Sequence, residues 1–306
     1  MKKWKNTVHV EGYIFKHSLK TYTSKKTGLP FVMGDVEICV DDRGLMTVPV
    51  HFGYTAEKTS TGKINSNYPL LMQIIQENKT YETAGTQAPR VRVDGYVATN
   101  DFYTRDGQLA SPKRIEASFI HPLTNKQIVA PTFSGDMIVK NSVLHDNEDD
   151  TYLDINGYMF DFFNNIYPVT FSVNIPAAIE FFQSQDYPFV TVISGEIENL
   201  IVERKRTLEC AWGEPVVETT SQSVRSWNIK RMTSPIPIPD DDIISKEELQ
   251  AALANREQKL ADEKQRRDDY LAQRDAFSFN KATASPAPAA PSNAWSSPTS
   301  FANYNF

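Results

Sequence analysis

The sequence predicts a mainly β protein in which two five-stranded barrels follow one another, with a long helix and a disordered tail after them. Three observations support this fold. A set of strand motifs occurs twice in the same order, with offsets that fall from 123 to 100 residues. Each copy places one helical pattern between its third and fourth strands. After residue 232 the composition changes to proline and then to helix-forming residues. A long internal repeat indicates a duplicated structural unit.

Three pairs of short strand motifs carry the repeat. The pairs are Val10–Ile14 with Phe133–Ile138, Val48–Phe52 with Tyr167–Phe171, and Val93–Val97 with Ile193–Ile197. The first and third pairs contain a glycine, which suits a strand that bends sharply or carries a bulge. Each motif alone is common in strands, so the prediction of a duplicated β domain depends on their shared order.

The first copy is expected to contain five strands and one helix. Apolar residues alternate along Val8–Phe15, which is the period of a half-buried strand. The helix is expected to begin near Asn67, which could cap it, with Pro69 in the first turn. Its apolar face at helical spacing consists of Leu70, Leu71, Ile74 and Ile75. The five strands are expected at 8–15, 31–40, 45–54, 90–102 and 113–120.

The second copy follows the same plan. A short helix is expected over Pro176–Gln185, with the proline in its first turn. The strands are expected at 133–144, 151–162, 166–174, 189–204 and 223–231. An insertion at 207–222 separates the last two strands, and its pattern favours no particular structure.

The chain changes character after the repeats. Alternating prolines exclude a helix and predict an extended linker at 235–244. Ser245 and Glu248 form a capping box for a helix at 245–278, expected to be solvated, with a weak coiled coil or a partner-docking helix as alternatives. Residues 279–306 have the composition of a disordered tail. The barrels are expected to cover 1–128 and 129–234.

Charge divides unevenly between the two copies. Residues 1–132 hold 17 Lys and Arg against 12 Asp and Glu, whereas residues 133–232 hold 7 against 15. A polyanionic partner should therefore prefer the first copy.

Several features bear on location. No apolar run is long enough to cross a membrane as a helix, and the N-terminus lacks the apolar run of a signal peptide. The two cysteines, Cys39 and Cys210, are expected to be buried thiols in a reducing compartment. These features predict a cytoplasmic protein.

Five strands with a helix between the third and fourth resemble the OB-fold, a small Greek-key barrel. Element order, strand glycines and loop chemistry over roughly residues 7–232 resemble the tandem OB-fold single-stranded DNA-binding proteins of bacteriophages. The resemblance implies a protein that coats single-stranded DNA without sequence preference during replication or recombination in the host cytoplasm. RNA stays open as a ligand. The alternative is a β-rich structural or protein-interaction protein, such as a virion component.

Single-stranded nucleic acid is bound by cations that follow the phosphates and by flat side chains on which bases stack. The first copy offers both residue types in the loop after its first strand and around the loop between its fourth and fifth strands. The candidate binding residues are Lys16, Lys20, Tyr22, Lys25, Lys26, Tyr54, Arg90, Arg92, Tyr96, Phe102, Tyr103, Arg105, Lys113 and Arg114. Phe52 is expected in the core instead.

The corresponding loop of the second copy, at 145–150, is acidic and is expected to repel phosphate. A secondary site elsewhere in the second copy could combine the basic run 204–206 with Trp212 or Trp227.

Enzymatic motifs are missing from the sequence. Gly62–Lys63 lacks the flanking residues of a P-loop, and the five histidines show no metal-binding spacing. We therefore expect no catalytic activity, no cofactor and no metal. Four aromatic residues near the end of the chain suggest a motif that docks replication or recombination proteins, although no acidic residue follows Asp275. They are Trp295, Phe301, Tyr304 and Phe306.

Overall fold

The computed structural model describes residues 3–59, 61–104, 106–125, 127–147, 150–208, 212, 216–238 and 244–283. The chain divides into two compact units, Met1–Leu260 and Ala261–Phe306. All strands belong to the first unit. Within the second unit, the described residues 261–283 are helical.

The first copy contains more elements than its sequence pattern predicted, because short strands extend two of its loops. Its strands are β1 (Asn6–His17), β2 (Lys20–Thr23), β3 (Pro30–Cys39), β4 (Thr47–Ala56), β5 (Arg90–Thr99), β6 (Phe102–Tyr103), β7 (Leu109–Ala110) and β8 (Lys113–Leu123). Its helices are α1 (Asn67–Glu77), α2 (Tyr81–Ala84) and a single 3-10 turn at Gly85–Gln87.

The five long strands of this copy close into a barrel. Antiparallel pairs join β1 to β3, β3 to β4, β1 to β5 and β5 to β8. The last junction is parallel, between β4 and β8, where Val50 lies opposite Ile115. This connectivity, with α1 between the third and fourth long strands, is that of the OB-fold. The predicted barrel is thus confirmed for the first copy.

Alternating apolar side chains fill the interior of the barrel. Phe52 is fully buried, as predicted, and Leu71 and Ile74 of α1 pack on the same core. The cap predicted at Asn67 is wrong, because Ser66 occupies the cap position. The buried Asn67 amide instead donates to the Ser118 carbonyl at 2.8 Å and accepts from the Ile120 N–H at 3.2 Å. These bonds attach α1 to β8.

The second copy contains β9 (Thr132–Asn147), β10 (Asp150–Phe160), β11 (Ile166–Val173), α3 (Pro176–Gln183), β12 (Phe189–Leu208) and β13 (Val216–Met232). Antiparallel pairs join β9 to β10, β10 to β11, β12 to β13 and β9 to β12. A parallel bridge joins β11 to β13, where Ser172 lies opposite Asn228.

A glycine allows a close backbone approach at the same place in both copies. At Gly95 a Cβ atom would lie 2.2 Å from the Glu116 carbonyl oxygen, and at Gly195 it would lie 2.0 Å from the Asn228 carbonyl oxygen. Both glycines sit at a register shift against the last long strand of their copy. The repeated motif therefore marks a close backbone approach that excludes any side chain.

Two segments that lie outside the predicted strands contain strand residues. The acidic segment at 145–150 lies at the end of the β9–β10 hairpin, where Asp150 pairs with Asn147, so its prediction as a free loop is wrong. The insertion at 207–222 extends the β12–β13 hairpin, with Leu208 opposite Val216. The Val- and Thr-rich sequence of 216–224 favours strand structure.

The two strand sets share one sheet. Residues Asn6 to His9 of β1 pair with Gly135 to Thr132 of β9. The same strand therefore contributes to the first barrel and to the edge of the second strand set.

The segment after the strands packs on the second set. Ile236–Pro237 forms β14 and pairs with Phe189 and Val190, so this part of the predicted linker is attached to the sheet. Helix α4 (Lys246–Thr283) follows, and its predicted capping box is present: Glu248 N–H donates to Ser245 Oγ at 3.1 Å and Ser245 N–H donates to Glu248 Oε2 at 3.2 Å.

The sequence predicts a solvated helix, but the first turns of α4 are partly buried on one side. Leu249, Ala252 and Leu253 pack against a buried cluster that includes Phe160 and Ile244. An apolar pair at i, i+4 places both leucines on one face of the helix. The predicted docking residues of the tail, at 295, 301, 304 and 306, lie outside the described residues.

Two further expectations concern the cysteines and membrane-spanning helices. Cys39 is a buried free thiol, and burial raises its pKa to about 11, whereas Cys210 lies outside the described residues. Across the part of the chain that the structure describes, no helix has the length and apolar character needed to span a membrane.

Candidate nucleic-acid interface

Three aromatic rings form a row across neighbouring strands of the first barrel. Tyr22 on β2 lies opposite Phe31 on β3, and their ring centroids are 5.4 Å apart at an interplanar angle of 22°. Phe31 in turn lies 4.5 Å from the ring of Tyr54 on β4. Tyr22 is 40% exposed and Tyr54 is 58% exposed. This aromatic row, Tyr22–Phe31–Tyr54, offers flat surfaces on regular strands.

The backbone around the row is fixed by local hydrogen bonds. In the β2–β3 turn, Ser24 N–H donates to the Leu29 carbonyl at 3.0 Å, and Gly28, at φ +69°, donates to the Ser24 carbonyl at 2.8 Å. The loop after β4 lies beside this turn, because Glu57 N–H donates to the Pro30 carbonyl at 3.1 Å. Both turns thus project from the same end of β3.

Exposed lysines occupy β2 and these two turns. We call them the lysine flanks: Lys20, Lys25, Lys26, Lys58 and Lys63. Among the described residues, none of the five takes part in an ion pair. Their positive charge is therefore available to an anion in solution. Lys16, also a predicted residue, differs because its ammonium lies 3.4 Å from a carboxylate oxygen of Glu37.

The loop between β5 and β8 forms a small hairpin. Phe102 pairs with Ala110 and Tyr103 with Leu109, and the Phe102 side chain is 43% exposed. Asp101 anchors the hairpin through a bidentate ion pair with Arg256 of α4, at 2.6 and 2.9 Å. Burial alone would raise the pKa of Asp101, but hydrogen bonds from Arg256 and Ser111 lower it below its ordinary value. Arg105 lies outside the described residues.

The structure does not bring Arg90 to the aromatic row. Arg90 is buried, and its guanidinium lies 5.2 Å from the centroid of the Tyr13 ring. It also donates to the Gln127 carbonyl at 2.7 Å and to the Asn125 carbonyl. These contacts attach the chain after β8 to the barrel wall.

Two further predicted cations form short-range ion pairs. The guanidinium of Arg92 lies 3.1 Å from a carboxylate oxygen of Asp94. Arg114 pairs with Glu116 and donates to Asn100 Oδ1 at 3.0 Å. Both cations therefore already have acidic partners within the barrel.

Lys113 and Tyr96 lie where the two strand sets meet. The Lys113 ammonium lies 4.8 Å from the centroid of the Phe171 ring and 5.3 Å from that of Trp227, and it donates to the Thr170 carbonyl. Burial lowers its pKa to about 8. Burial raises the pKa of Tyr96 to about 12, with a smaller effect of the nearby Glu116 carboxylate. Neither side chain belongs to the row.

The secondary site considered for the second copy loses one of its members. Trp227 is buried against the rings of Phe133 and Phe171, with centroids at 5.5 and 6.1 Å. Trp212 is exposed. The side chains of residues 204–206 are not among those that the structure describes. Within the described residues, no group of three or more His, Cys, Asp or Glu side chains is arranged to hold a metal ion.

The structure thus brings together five predicted residues and three that the sequence did not single out. The predicted ones are Lys20, Tyr22, Lys25, Lys26 and Tyr54. The added ones are Phe31, Lys58 and Lys63. The signal for Lys58 and Lys63 was their position in the sequence, in the polar segment directly after β4.

The fold and this surface define an OB-fold protein with an exposed aromatic and basic face on its first barrel. The chain belongs to the YorF family, whose model matches residues 5–266. Comparison with curated proteins gives no match.

The solved structures similar to this chain include two of the single-stranded DNA-binding protein from Thermus aquaticus. The wild-type structure has 11% identity and a TM-score of 0.47, covering 78% of this chain and 97% of that one. A deletion mutant has 10% identity and a TM-score of 0.49, covering 78% and 98%. Similarity of this degree identifies neither a function nor a site in this chain.

Proposed function

We propose that this protein binds single-stranded DNA through the aromatic row and the lysine flanks. One observation carries the proposal: three contacting rings cross β2, β3 and β4, and five lysines without ion pairs among the described residues surround them. Bases stack on such rings for roughly 1–3 kcal/mol each, and lysines neutralise the phosphates between them.

The arrangement favours binding without sequence preference. Every base has a flat face that can stack, whereas sequence readout needs hydrogen-bond donors and acceptors aimed at base edges. The row supplies rings and only two hydroxyl groups. The rings also sit on paired strands, so little conformational freedom is lost on binding.

The position of the row on the barrel supports the same function. OB-folds bind oligonucleotides on the face of their second and third strands and through the loops that flank it. In this barrel those strands are β3 and β4, and the flanking loops carry β2 and the β6–β7 hairpin.

The proposal extends to the rest of the chain. The second strand set would be a second OB-fold, as in the tandem proteins of bacteriophages. The protein would coat single strands during replication or recombination in the cytoplasm, without catalysis, and α4 or the tail would contact protein partners. RNA remains a second possible ligand.

Titration with oligo-dT at several salt concentrations tests the binding. We expect binding at micromolar protein that weakens steeply with salt, as counterion release requires. Lys25→Glu/Lys26→Glu should weaken it strongly. The charge-matched control Lys79→Glu/Lys140→Glu changes two exposed lysines outside the row and should have little effect.

Equal effects of the two double variants would contradict the assignment of the site. No salt-sensitive binding by the unaltered protein would refute the function and favour the alternative of a β-rich interaction protein. Parallel titration with oligo-U would measure the preference between DNA and RNA.

A further inference from the structure

Two phenylalanines stand exposed on the turn between β10 and β11. Phe162 is 78% exposed and Phe163 is 77% exposed. Their ring centroids are 5.7 Å apart at an angle of 85°. Exposure of adjacent aromatic side chains to water is unfavourable, and such exposed apolar patches mark interaction sites.

The turn that carries them is held by one buried carboxylate. Asp161 accepts from the backbone N–H of Phe163 and of Asn165, both at 2.8 Å. It also accepts from Asn165 Nδ2 at 2.7 Å and from the Tyr167 hydroxyl at 3.0 Å. Four donors satisfy this carboxylate, so the turn has one defined conformation and its rings are directed outward.

A pocket of about 290 Å³ opens beside the turn. Its apolar wall contains Trp4 and Phe160, whose rings stack at 4.4 Å, together with Phe163. Asn164 and Asn255 add amide-bearing side chains to the lining. A lining that combines aromatic rings with amides suits a planar heterocycle that has donors and acceptors on its edge.

Helix α4 brings this turn next to the β6–β7 hairpin of the first barrel. Arg256 donates to Asp101, the residue before Phe102. Lys259 Nζ donates to Asn165 Oδ1 at 2.5 Å. Residues three apart lie on the same side of a helix, about one turn from each other. The two attachment points therefore place the exposed Phe102 and the phenylalanine pair on neighbouring hairpins.

We propose that Phe162, Phe163 and the adjoining pocket form a second base-stacking site for single-stranded nucleic acid. The inference rests on the proposed function: a strand leaving the aromatic row past Phe102 would continue onto this pair. The Asp161 carboxylate is buried and fully hydrogen-bonded, and the Glu248 carboxylate in the pocket lining accepts from the Ser245 N–H. Lys259 adds a positive charge beside the turn.

Oligo-dT of two lengths tests the second site, because one OB-fold occupies roughly 4–16 nucleotides. Phe162→Ser/Phe163→Ser should weaken the binding of an oligonucleotide of about 30 nucleotides at least about fivefold, the loss expected from one stacked base. Binding of about 8 nucleotides should not change. Tyr22→Ser/Tyr54→Ser should weaken both, and Phe119→Ser, another exposed phenylalanine, should weaken neither.

Tryptophan fluorescence gives an independent readout. A base in the pocket should quench Trp4, so Trp4→Phe should lose part of the quenching seen with the long oligonucleotide. Quenching by the long oligonucleotide that is the same in Trp4→Phe as in the unaltered protein would overturn the pocket assignment.

Three outcomes distinguish failure of the proposed function from failure of the second stacking site. If the unaltered protein binds neither length, the proposed function fails and this inference fails with it. If it binds both and Phe162→Ser/Phe163→Ser binds both equally well, only the second site is overturned. If that variant instead changes the mass in sedimentation without changing affinity, the pair joins two copies of the chain and the second site is again overturned.

Discussion

Phe31 lies with its ring centroid 4.5 Å from that of Tyr54 on the neighbouring strand, and 5.4 Å from that of Tyr22 on the other side. It is half-buried, whereas both of its neighbours are exposed. The central ring therefore supports two outer rings as well as presenting a surface of its own.

Phe31→Ala should weaken oligo-dT binding by more than either outer substitution alone. Each stacked base contributes roughly 1–3 kcal/mol, and loss of Phe31 removes one stacking surface and the support of two more. Fluorescence titration of Phe31→Ala, Tyr22→Ala and Tyr54→Ala measures the order. An effect of Phe31→Ala smaller than that of either tyrosine change would show that the rings do not act as a row.

Lys58→Ala/Lys63→Ala should reduce the salt dependence of binding. For single strands the slope of log K against log salt changes by roughly 0.7 for each phosphate contact. Loss of two contacts should therefore lower its magnitude by about 1.4. Titrations at four salt concentrations give the slope. An unchanged slope would show that the loop after β4 does not contact phosphate.

Arg256→Ala should destabilise the first unit by about 1.5–3 kcal/mol, the range for hydrogen bonds to charged groups. The bidentate pair with Asp101 is mostly shielded, with the side chains 13% and 20% exposed. Urea unfolding measures the change. Arg266→Ala is the control, because Arg266 is 72% exposed and its ion pair with Glu263 lies on the helix surface one turn away, so its loss should cost little.

The ion pair between Arg256 and Asp101 also predicts how the stability difference between the unaltered protein and Arg256→Ala depends on pH. The folded pKa of Asp101 is lowered, so its contribution is present above the unfolded pKa, near 3.8, and disappears as the pH falls through the folded value. The stability advantage over Arg256→Ala should thus be constant near neutral pH and shrink in acid. An advantage that persists at the lowest pH would show that the lost contacts are not electrostatic.

Lys113→Met should leave oligo-dT binding unchanged, because the ammonium lies over the rings of Phe171 and Trp227 and away from the row. It should change the pH dependence of stability. Burial lowers the folded pKa to about 8 from an ordinary 10.5, so the folded state loses this proton first and the unaltered protein gains stability as the pH rises between those values.

Urea unfolding at pH values between about 7 and 10 should show this rise in the unaltered protein and a smaller one in Lys113→Met. Parallel curves for the two proteins would contradict the burial of the ammonium. Weaker oligo-dT binding by Lys113→Met would instead place Lys113 in the binding site, as the sequence predicts.

The order of the elements in the first barrel could be predicted from the sequence, because strand alternation, the helix between strands three and four and the motif glycines are local signals. Burial of Phe52 followed from the same alternation. The lysines of the β2–β3 turn were visible for a similar reason, since turn chemistry and charge can be read from a few adjacent residues.

The composition of the row could not be predicted, because it depends on register. Phe31 faces Tyr22 only because a four-residue edge strand forms after β1, and no periodicity marks so short a strand. Lys113 and Tyr96 were expected in the binding site, yet they lie where the strand sets meet. That contact requires pairing across more than a hundred residues of sequence.

The hydrogen bonds between Asn6–His9 and Thr132–Gly135 have a consequence for how many nucleotides each molecule would cover. Domains joined by a flexible tether can engage a strand together or singly, so their footprint varies with ionic strength. Here a shared strand fixes the spacing between the two halves. The footprint on a long strand should therefore be constant over a wide range of salt, even where affinity falls steeply.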